Sequence, residues 1–311
     1  MQSPAIQFRH ENLALFVGLA VMWGSSFVAI KAGLEYFPPL LYAALRFELA
    51  AVVVFAYAFL RADRLLPRGK SEWLSVLTSG LFIYGAYHAL LFVGQQYVSS
   101  AVAAILVCTA PILTIGFARA FLANERLAAA GVLGILVSFV GVFLVARPDL
   151  NALLSGGSRG ELLILIAAAS TALGSVLVQR FSTTLPLESR QAWAMTVGAL
   201  LLQTLSLARS ESIASVQWTD EAVGALAYLV FVPSIAGFLA YFVLLDRLGS
   251  IRTNLVEYVT PIFAALVGWR WLGEGIDSLT LLGFLVIALG FALIQQRTLR
   301  AKLPQLHRLR T

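Results

Sequence analysis

Ten stretches of this sequence are apolar over about twenty residues each, and they constrain the fold more than any other feature. A helix of that length crosses the hydrocarbon core of a lipid bilayer. Only 12% of the residues are charged, whereas about a quarter are charged in an average soluble domain. The stretches lie near 13–32, 40–60, 73–93, 98–122, 129–146, 161–180, 191–208, 222–245, 250–272 and 279–296. We therefore expect a protein embedded in the lipid bilayer.

The apolar stretches are predicted to be helices. In lipid every backbone N–H and C=O group needs an internal partner, so only helices and closed barrels span the membrane. Barrel strands are about half as long and alternate in polarity, and these stretches do not alternate. A signal peptide is an alternative for the first stretch, but its length and its match to an internal stretch favour a first membrane helix.

The second half of the sequence repeats the first, at a shift of 150 positions that becomes 149 after a one-residue slip. Matches of Leu, Ala and Val arise easily by chance in so apolar a chain, so other residue types carry the inference. The matched pairs are Arg9 with Arg159, Glu11 with Glu161, Gly24 with Gly174, Ser25 with Ser175, Ser100 with Ser250, Pro111 with Pro261, Glu125 with Glu274, Gly134 with Gly283, and Gly141 with Gly290. Two repeats are predicted, 1–150 with five helices and 151–311 with five helices and a basic C-terminal tail.

Basic residues between the helices predict the orientation, because loops rich in Arg and Lys stay in the cytoplasm. One set of alternate loops and ends holds Arg9, Arg61, Arg64, Arg68, Lys70, Arg119, Arg126, Arg180, Arg190, Arg247, Arg252, Arg297, Arg300, Lys302, Arg308 and Arg310. The other set holds Lys31, Arg147, Arg159, Arg209 and Arg270. Both termini are therefore predicted to be cytoplasmic. The net charge of +6 reflects this topology, and no nucleic acid partner is expected.

Five helices per repeat is an odd number, so the second repeat enters the membrane from the face opposite to the first. The predicted fold class is an all-α membrane protein with ten transmembrane helices built from two inverted five-helix repeats. Inverted repeats are typical of carriers that expose one central site alternately to each side of the membrane.

Several short motifs recur in a fixed order along the chain. They are Trp23-Gly24-Ser25-Ser26 with Lys31, Leu45-Arg46-Phe47, the series Pro111, Glu125, Gly134 and Gly141, and its repeat Pro261, Leu272-Gly273-Glu274, Gly283 and Gly290. Together they resemble the drug/metabolite transporter (DMT) superfamily, specifically ten-helix carriers with paired EamA domains, over residues 13–296. Within that superfamily the chain looks like the branch of bacterial aromatic amino acid exporters.

Four ionisable residues fall inside the predicted helices, namely Arg46, Glu48, His88 and Glu257. A charge within the bilayer is costly unless it faces a partner or water, so each is a candidate for an intramembrane charge or gating function. Arg46 and Glu48 are two positions apart and point to nearly opposite helix faces. The structural alternatives are a tie from Arg46 to helix-end carbonyls or a carboxylate, a pair of Glu257 with Arg252 or Arg46, and an interhelical hydrogen bond of His88.

Aromatic and hydroxyl-bearing residues away from the headgroups predict a central pocket with aromatic walls and hydroxyl donors, since lipid satisfies neither a hydroxyl nor an imidazole. Packing through small residues is the alternative for Trp23. The candidate substrate-binding residues are Trp23, Ser26, Tyr84, Tyr87, His88, Ser175, Tyr241 and Tyr258. Pro111 and Pro261 remove backbone hydrogen bonds at matched points of the two repeats and are candidates for gating.

The resemblance implies an inner-membrane carrier that exports amino acids, aromatic or otherwise neutral, by alternating access. Efflux of aromatic cations or drugs is the alternative. An intramembrane enzyme with Ser25 or Ser26 as nucleophile and His88 as base is a remote alternative, because no GxSxG elbow, HExxH pair or acidic metal cluster accompanies these residues. We expect no cofactor and no metal. A small-molecule substrate is expected, and the oligomeric state stays open.

Overall fold

The structure is a computed structural model, which describes residues 10–121, 129–146, 158–181, 183–248 and 256–307. All the regular structure in these ranges is helical. The α-helices are α1 (His10–Gly33), α2 (Pro39–Arg61), α3 (Gly69–Thr78), α4 (Tyr87–Gly94), α5 (Ser100–Val107), α6 (Ala110–Phe121), α7 (Ala129–Ala146), α8 (Arg159–Val178), α9 (Leu187–Ala208), α10 (Asp220–Leu229), α11 (Gly237–Leu248), α12 (Val256–Leu272) and α13 (Ser278–His307). The predicted all-helical class is confirmed.

Seven helical stretches of the described ranges are long and apolar enough to cross a membrane. They are Glu11–Gly33, Pro39–Arg61, Gly69–Gly94, Ser100–Ala118, Arg159–Val178, Leu187–Ala208 and Asp220–Tyr241, with Ser278–Gly290 as a shorter apolar helix. The number of ten crossings stays a prediction. Several residues named in the sequence analysis lie outside the described residues, namely Arg9, Glu125, Arg126, Arg147, Ser250, Arg252, Arg308 and Arg310.

Two of these stretches contain π-helical segments, in which the backbone turn is wider than in an α-helix. Ser79–Ala86 joins α3 to α4, and Val230–Ala236 joins α10 to α11. Both segments end on an alanine, and Ala86 and Ala236 are 150 positions apart. The π-helical geometry therefore occurs at matched positions of the two halves.

Close helix contacts depend on glycine at several crossings. Along the α7–α13 pair a methyl carbon added at Gly141 would lie 2.6 Å from the Gly283 carbonyl oxygen, and one at Gly290 would lie 2.5 Å from the Gly134 carbonyl oxygen. Such close approach of backbones through small residues is a common way for helices to pack in membranes. The other extensive pairs are α2 with α9, and α1 with α12.

One end of the bundle, where α1 begins, we call the basic end. Here Arg64, in the link between α2 and α3, forms a bidentate ion pair with Glu72, at 2.7 and 2.8 Å. The Glu72 carboxylate also accepts from the backbone N–H of Arg68 at 2.6 Å and of Thr184 at 3.1 Å. Because Thr184 precedes α9, this carboxylate ties the two halves of the chain together at the basic end.

The opposite end of the bundle is closed by polar groups that bind backbone. The Glu274 carboxylate accepts from the Ser100 N–H at 3.0 Å, at the start of α5. The Glu211 carboxylate accepts from the Leu41 N–H at 2.8 Å, in the first turn of α2. Both carboxylates lie at helix N-termini, where unpaired N–H groups favour negative charge. An aromatic cluster packs beside them and consists of Phe37, Tyr42, Phe92 and Trp218.

Candidate functional site

A cavity of about 350 Å³ lies inside the bundle, between the aromatic cluster of the opposite end and the basic end. Arg190 and Gln191 of α9 line it near the basic end, and Ile30 of α1 lines it near the opposite end. Its volume falls within the roughly 300–1,000 Å³ of small-molecule sites. Of the predicted substrate-binding residues, the lining contains Trp23, Ser26, Tyr84, Tyr87, His88, Ser175 and Tyr241.

One wall of the cavity is an aromatic group on α1 and α11. The Trp23 ring lies 5.5 Å from that of Tyr241 and 6.1 Å from that of Phe238, between ring centroids. Trp23 Nε1 donates to the carbonyl oxygen of Pro233, in the second π-helical segment, at 3.4 Å. Gly237 makes room for the indole, since a methyl carbon there would lie 2.9 Å from Trp23 Nε1. Trp23 therefore packs against a helix and faces the cavity at once.

The facing wall comes from the first π-helical segment and α4. The Tyr84 hydroxyl, in that segment, donates to the side-chain carbonyl of Gln191. The His88 ring lies 4.5 Å from the Tyr87 ring and 4.4 Å from the Phe47 ring, in edge-on contacts. Tyr84 is only 2% exposed. These contacts hold the four rings in fixed positions around the cavity.

His88 bonds within its own helix. Its Nδ1 lies 2.9 Å from the Tyr84 carbonyl oxygen, and because a carbonyl only accepts, Nδ1 carries the hydrogen. The interhelical hydrogen bond proposed for His88 from sequence is therefore wrong for this nitrogen. In the neutral ring Nε2 then carries no hydrogen and can only accept.

The serine and threonine hydroxyl groups of the cavity wall donate hydrogen bonds to backbone carbonyl oxygens of their own helices. Ser26 Oγ donates to Trp23 O at 2.6 Å, Ser175 Oγ to Thr171 O at 2.7 Å, and Thr260 Oγ1 to Val256 O at 2.9 Å. Such bonds to the preceding turn are usual for serine and threonine in helices. These residues therefore present acceptor oxygens to the cavity, and the expectation of hydroxyl donors is wrong for them.

The four ionisable candidates separate into two groups. Arg46 and Glu257 line the cavity along with His88, whereas Glu48 does not. This agrees with the opposite faces expected for Arg46 and Glu48. Arg46 bonds to the hydroxyl of Ser234 at 3.0 Å and forms no ion pair with Glu257 within the described ranges. The carboxylate partner considered for Arg46 from sequence is thus wrong for this structure.

The prolines and Tyr258 stand outside the cavity lining, next to residues that belong to it. Pro111 follows Ala110 in the first turn of α6, and Pro261 follows Thr260 in α12. Pro261 has no N–H to donate to the carbonyl of Glu257, four positions earlier. The Cys108 thiol donates to this carbonyl instead, with Sγ 2.9 Å from the oxygen. The freed carbonyl therefore joins α12 to the break between α5 and α6.

Sequence reasoning missed several polar residues of the cavity, among them Arg190 and Gln191, as well as Ser79 and Thr260. The loop pattern predicts Arg190 to be a loop charge, but it lies in the first turn of α9 and lines the cavity. The only local signal is a polar Ser-Arg-Gln run at the start of an apolar stretch. Such a run is equally typical of a membrane boundary.

The described residues also bear on metal binding and on the catalytic alternative that the sequence leaves open. No group of three His, Cys, Asp or Glu residues able to hold a metal occurs in the part of the chain that the structure describes. Ser25 Oγ bonds to the Val21 carbonyl at 2.5 Å and to the Tyr228 hydroxyl at 2.6 Å. Among the described residues neither Ser25 nor Ser26 is hydrogen-bonded to His88, so a nucleophile and base pair is not assembled.

An apolar helical bundle around a partly polar cavity defines a multi-pass membrane protein of the transporter class. The model of the EamA-like transporter family matches the chain twice, over residues 12–147 and 158–296. The chain belongs to this family, which confirms the superfamily resemblance.

Relatives across bacteria and plants are also named as transporters or by family. The chain is 30% identical to the "Uncharacterized inner membrane transporter YedA" of Escherichia coli (strain K12), over 90% of this chain and 89% of that protein. It is 26% identical to the "Uncharacterized transporter YoaV" of Bacillus subtilis (strain 168), over 88% and 93%. It is 27% identical to the "WAT1-related protein At3g02690, chloroplastic" of Arabidopsis thaliana, over 88% and 66%.

A solved crystal structure shares the fold. It superimposes with a TM-score of 0.65 at 22% identity, over 93% of this chain and 98% of that chain. The likeness extends over nearly the whole length of both chains and concerns the fold alone.

Proposed function

We propose that this transporter exports small amphipathic metabolites, namely amino acids with aromatic or other neutral side chains, across the inner membrane by alternating access. The observation that carries the proposal is the cavity itself, to which both halves contribute aromatic rings, and in which Arg46 and Glu257 supply opposite charges. An amino acid has the matching parts, an apolar side chain and two opposite charges. We assign substrate binding to the predicted residues of the lining, with Tyr258 beside Glu257 in support.

In this proposal the chain has ten transmembrane helices in two inverted repeats, 1–150 and 151–311. Two observations support it. The π-helical segments end 150 positions apart. Gly141 packs on Gly283 while Gly290 packs on Gly134, and this reciprocal contact is what exchange of two equivalent helices about a twofold axis would produce.

The structure corresponds, in this proposal, to the conformation that faces the cytoplasm. The basic end carries most of the loop charge and is taken as cytoplasmic, with both termini. The cavity reaches Arg190 at that end, and the opposite end is closed by the Glu274 and Glu211 contacts. Opening to the other side requires those carboxylates to leave the helix N-termini of α5 and α2. Pro111 and Pro261 mark the helices that bend in this step.

Efflux of aromatic cations or drugs is the second candidate function. The observation that favours it is the Glu257 carboxyl group in a cavity with aromatic walls, because a cation binds both to a carboxylate and to the face of an aromatic ring.

A counterflow assay with purified full-length protein in liposomes tests the proposed function. Liposomes are loaded in turn with unlabelled phenylalanine, leucine, a nucleoside or an aromatic quaternary amine, and uptake of the labelled compound is followed. Accumulation of labelled phenylalanine or leucine supports amino acid transport. Accumulation of the quaternary amine alone would support the second candidate function in place of amino acid transport. Accumulation of the nucleoside alone would contradict both functions. Liposomes without protein are the control.

A further inference from the structure

Arg46 is a buried cation whose charge no protein group in the described ranges neutralises. Its side chain on α2 is 6% exposed and lines the cavity. Its one hydrogen bond runs from Nε to Ser234 Oγ, at 3.0 Å. The guanidinium group stays charged and has five N–H donors, so the donors on both Nη atoms remain for the cavity.

Ser234 orients this guanidinium group without neutralising it. The serine hydroxyl donates its own proton to the Leu229 carbonyl at 2.8 Å, across the wide turn of the second π-helical segment. Its lone pair is therefore directed to Arg46 Nε. Ser234 is fully buried, so this hydrogen bond fixes the Nε side of a guanidinium group that lines the cavity.

Two other cations of the described chain have partners within the protein, whereas Arg190, which also lines the cavity, is partly exposed at the basic end. Lys31 donates to the carbonyl oxygens of Gln95 at 3.0 Å and Gln96 at 3.2 Å. Arg64 has the bidentate pair with Glu72. Arg46 differs from both, because among the described residues its guanidinium group contacts only the Ser234 hydroxyl and the Phe47 ring, with Cζ 4.9 Å from the ring centroid. A buried charge without an anionic partner is costly. A ligand that carries its own anionic group removes this cost.

Glu257 is the complementary group. It lies in the first turn of α12 and lines the same cavity. Its side chain has no hydrogen bond and no ion pair within the described residues, since the contact of Cys108 goes to its backbone carbonyl. The cavity therefore presents a positive and a negative group that do not pair with each other, with the rings of Trp23 and Phe238 in the same lining.

We infer that Arg46 binds the carboxylate of the transported molecule through its two Nη atoms and that Glu257 binds its ammonium group. This assignment rests on the proposed function and makes the cavity selective for zwitterions with an apolar or aromatic side chain. Arg46 and carboxylate form two parallel hydrogen bonds, which is the strongest common geometry for that pair. Ser234 is a positioning residue.

Titration calorimetry on the purified full-length protein tests the assignment with four probes. The reference probe is L-phenylalanine. L-Phenylalaninamide and phenethylamine lack the carboxylate, and 3-phenylpropionate lacks the ammonium group. We expect the three analogues to bind roughly ten- to a hundredfold more weakly than phenylalanine, as expected for loss of a charge-assisted hydrogen bond.

Variants separate the two charges. In Arg46→Gln, phenylalanine should bind as weakly as phenylalaninamide does, while binding of the amide is unchanged. In Glu257→Gln, phenylalanine and 3-phenylpropionate should bind with equal affinity. Ser234→Ala should weaken the binding of phenylalanine severalfold and leave the binding of phenethylamine unchanged. Glu48→Gln, outside the cavity, is the matched control and should keep the full order of the probes.

The outcomes distinguish this assignment from the proposed function. Equal binding of phenylalanine and its amide to the unmodified protein would overturn the role of Arg46 and leave amino acid transport intact, and this result needs no variant that must fold. The role of Arg46 is likewise overturned if the Arg46→Gln protein still binds phenylalanine more tightly than phenylalaninamide. If the protein binds none of the probes and transports no amino acid, the proposed function fails and the assignment falls with it.

Discussion

At the scale of single residues, the aromatic side chains of the cavity can both pack against helices and bind substrate, and experiment can separate these two functions. Trp23 contacts Tyr241 and Phe238 and donates to the Pro233 carbonyl, and it also faces the cavity. A residue that only packs affects stability, whereas a residue that binds substrate affects the apparent affinity. Trp23 should do both, with the larger effect on affinity.

We expect Trp23→Ala to raise the apparent KM for the transported amino acid about tenfold or more. Burial of a large ring contributes roughly 1–3 kcal/mol, and about 1.4 kcal/mol corresponds to a factor of ten. Trp23→Phe should recover part of the affinity. The measurement is initial flux against substrate concentration in proteoliposomes at matched protein levels.

Phe231→Ala is the control for that measurement, because Phe231 lies in the same π-helical segment as Pro233 but is 58% exposed on the outside of the bundle. It should leave KM unchanged. An unchanged KM in Trp23→Ala, with reduced thermal stability, would assign Trp23 to packing alone.

Residue type was enough to predict many of the residues that line the cavity. Others could not be predicted, because their place in the sequence fits more than one structural role. Tyr84 and Trp23 could be predicted because a polar-tipped ring away from the headgroups needs a partner or a cavity. The bond of Ser26 to its own helix could not, since a serine hydroxyl in sequence fits either a ligand or the preceding turn. Arg190 was missed because an arginine at a predicted helix boundary is indistinguishable from a loop charge.

At the scale of the helices, apolar length predicted the all-helical class, while the π-helical segments left no sequence signal. Residues Ser79–Ala86 contain no proline, and Val230–Ala236 contain Pro233. The two segments thus share a backbone geometry without sharing a residue pattern. The wide turn depends on what packs against it, for example Ser170, which donates to the Phe82 carbonyl at 2.9 Å.

The glycines of the α7–α13 pair should be sensitive to a single added methyl group. Gly141→Ala and Gly290→Ala each place a carbon against backbone of the facing helix, and overpacking of this kind costs about 1–3 kcal/mol. We expect a lower Tm in detergent for both variants. Gly18→Ala in α1 is the matched control, since no atom lies within 4 Å of the added carbon. Equal melting temperatures for all three would contradict the close packing of α7 and α13.

The proline of α12 should matter for movement more than for folding. Pro261→Ala restores an N–H that competes with the Cys108 thiol for the Glu257 carbonyl. We expect slower transport from a protein that still folds, as measured by flux and by size-exclusion profile, and the same for Pro111→Ala. Pro39→Ala is the control, because Pro39 begins α2 and lies outside both the cavity lining and the break between α5 and α6. Normal flux in both helix variants would make the prolines incidental bends.

At the scale of the whole molecule, the two ends of the bundle differ in a way that defines one conformation. The opposite end is closed by carboxylates on helix N-termini and by stacked rings, with Phe37 and Tyr42 4.6 Å apart. The basic end has the Arg64–Glu72 pair at its side and the cavity residues Arg190 and Gln191. The central claim is that this cavity is the transport site and is reached from the basic end in this conformation.

The most direct test is the accessibility of a cysteine in the cavity wall to an impermeant thiol reagent, in sealed vesicles of both orientations. Thr171→Cys in a Cys108→Ser background serves as the reporter, because Thr171 lines the cavity and Cys108 is the single native cysteine. Lys70→Cys marks the face of the basic end. We predict that Thr171→Cys reacts from the same face as Lys70→Cys and that phenylalanine slows its reaction. Reaction from the other face alone, or a rate that no transported amino acid changes, would contradict the account.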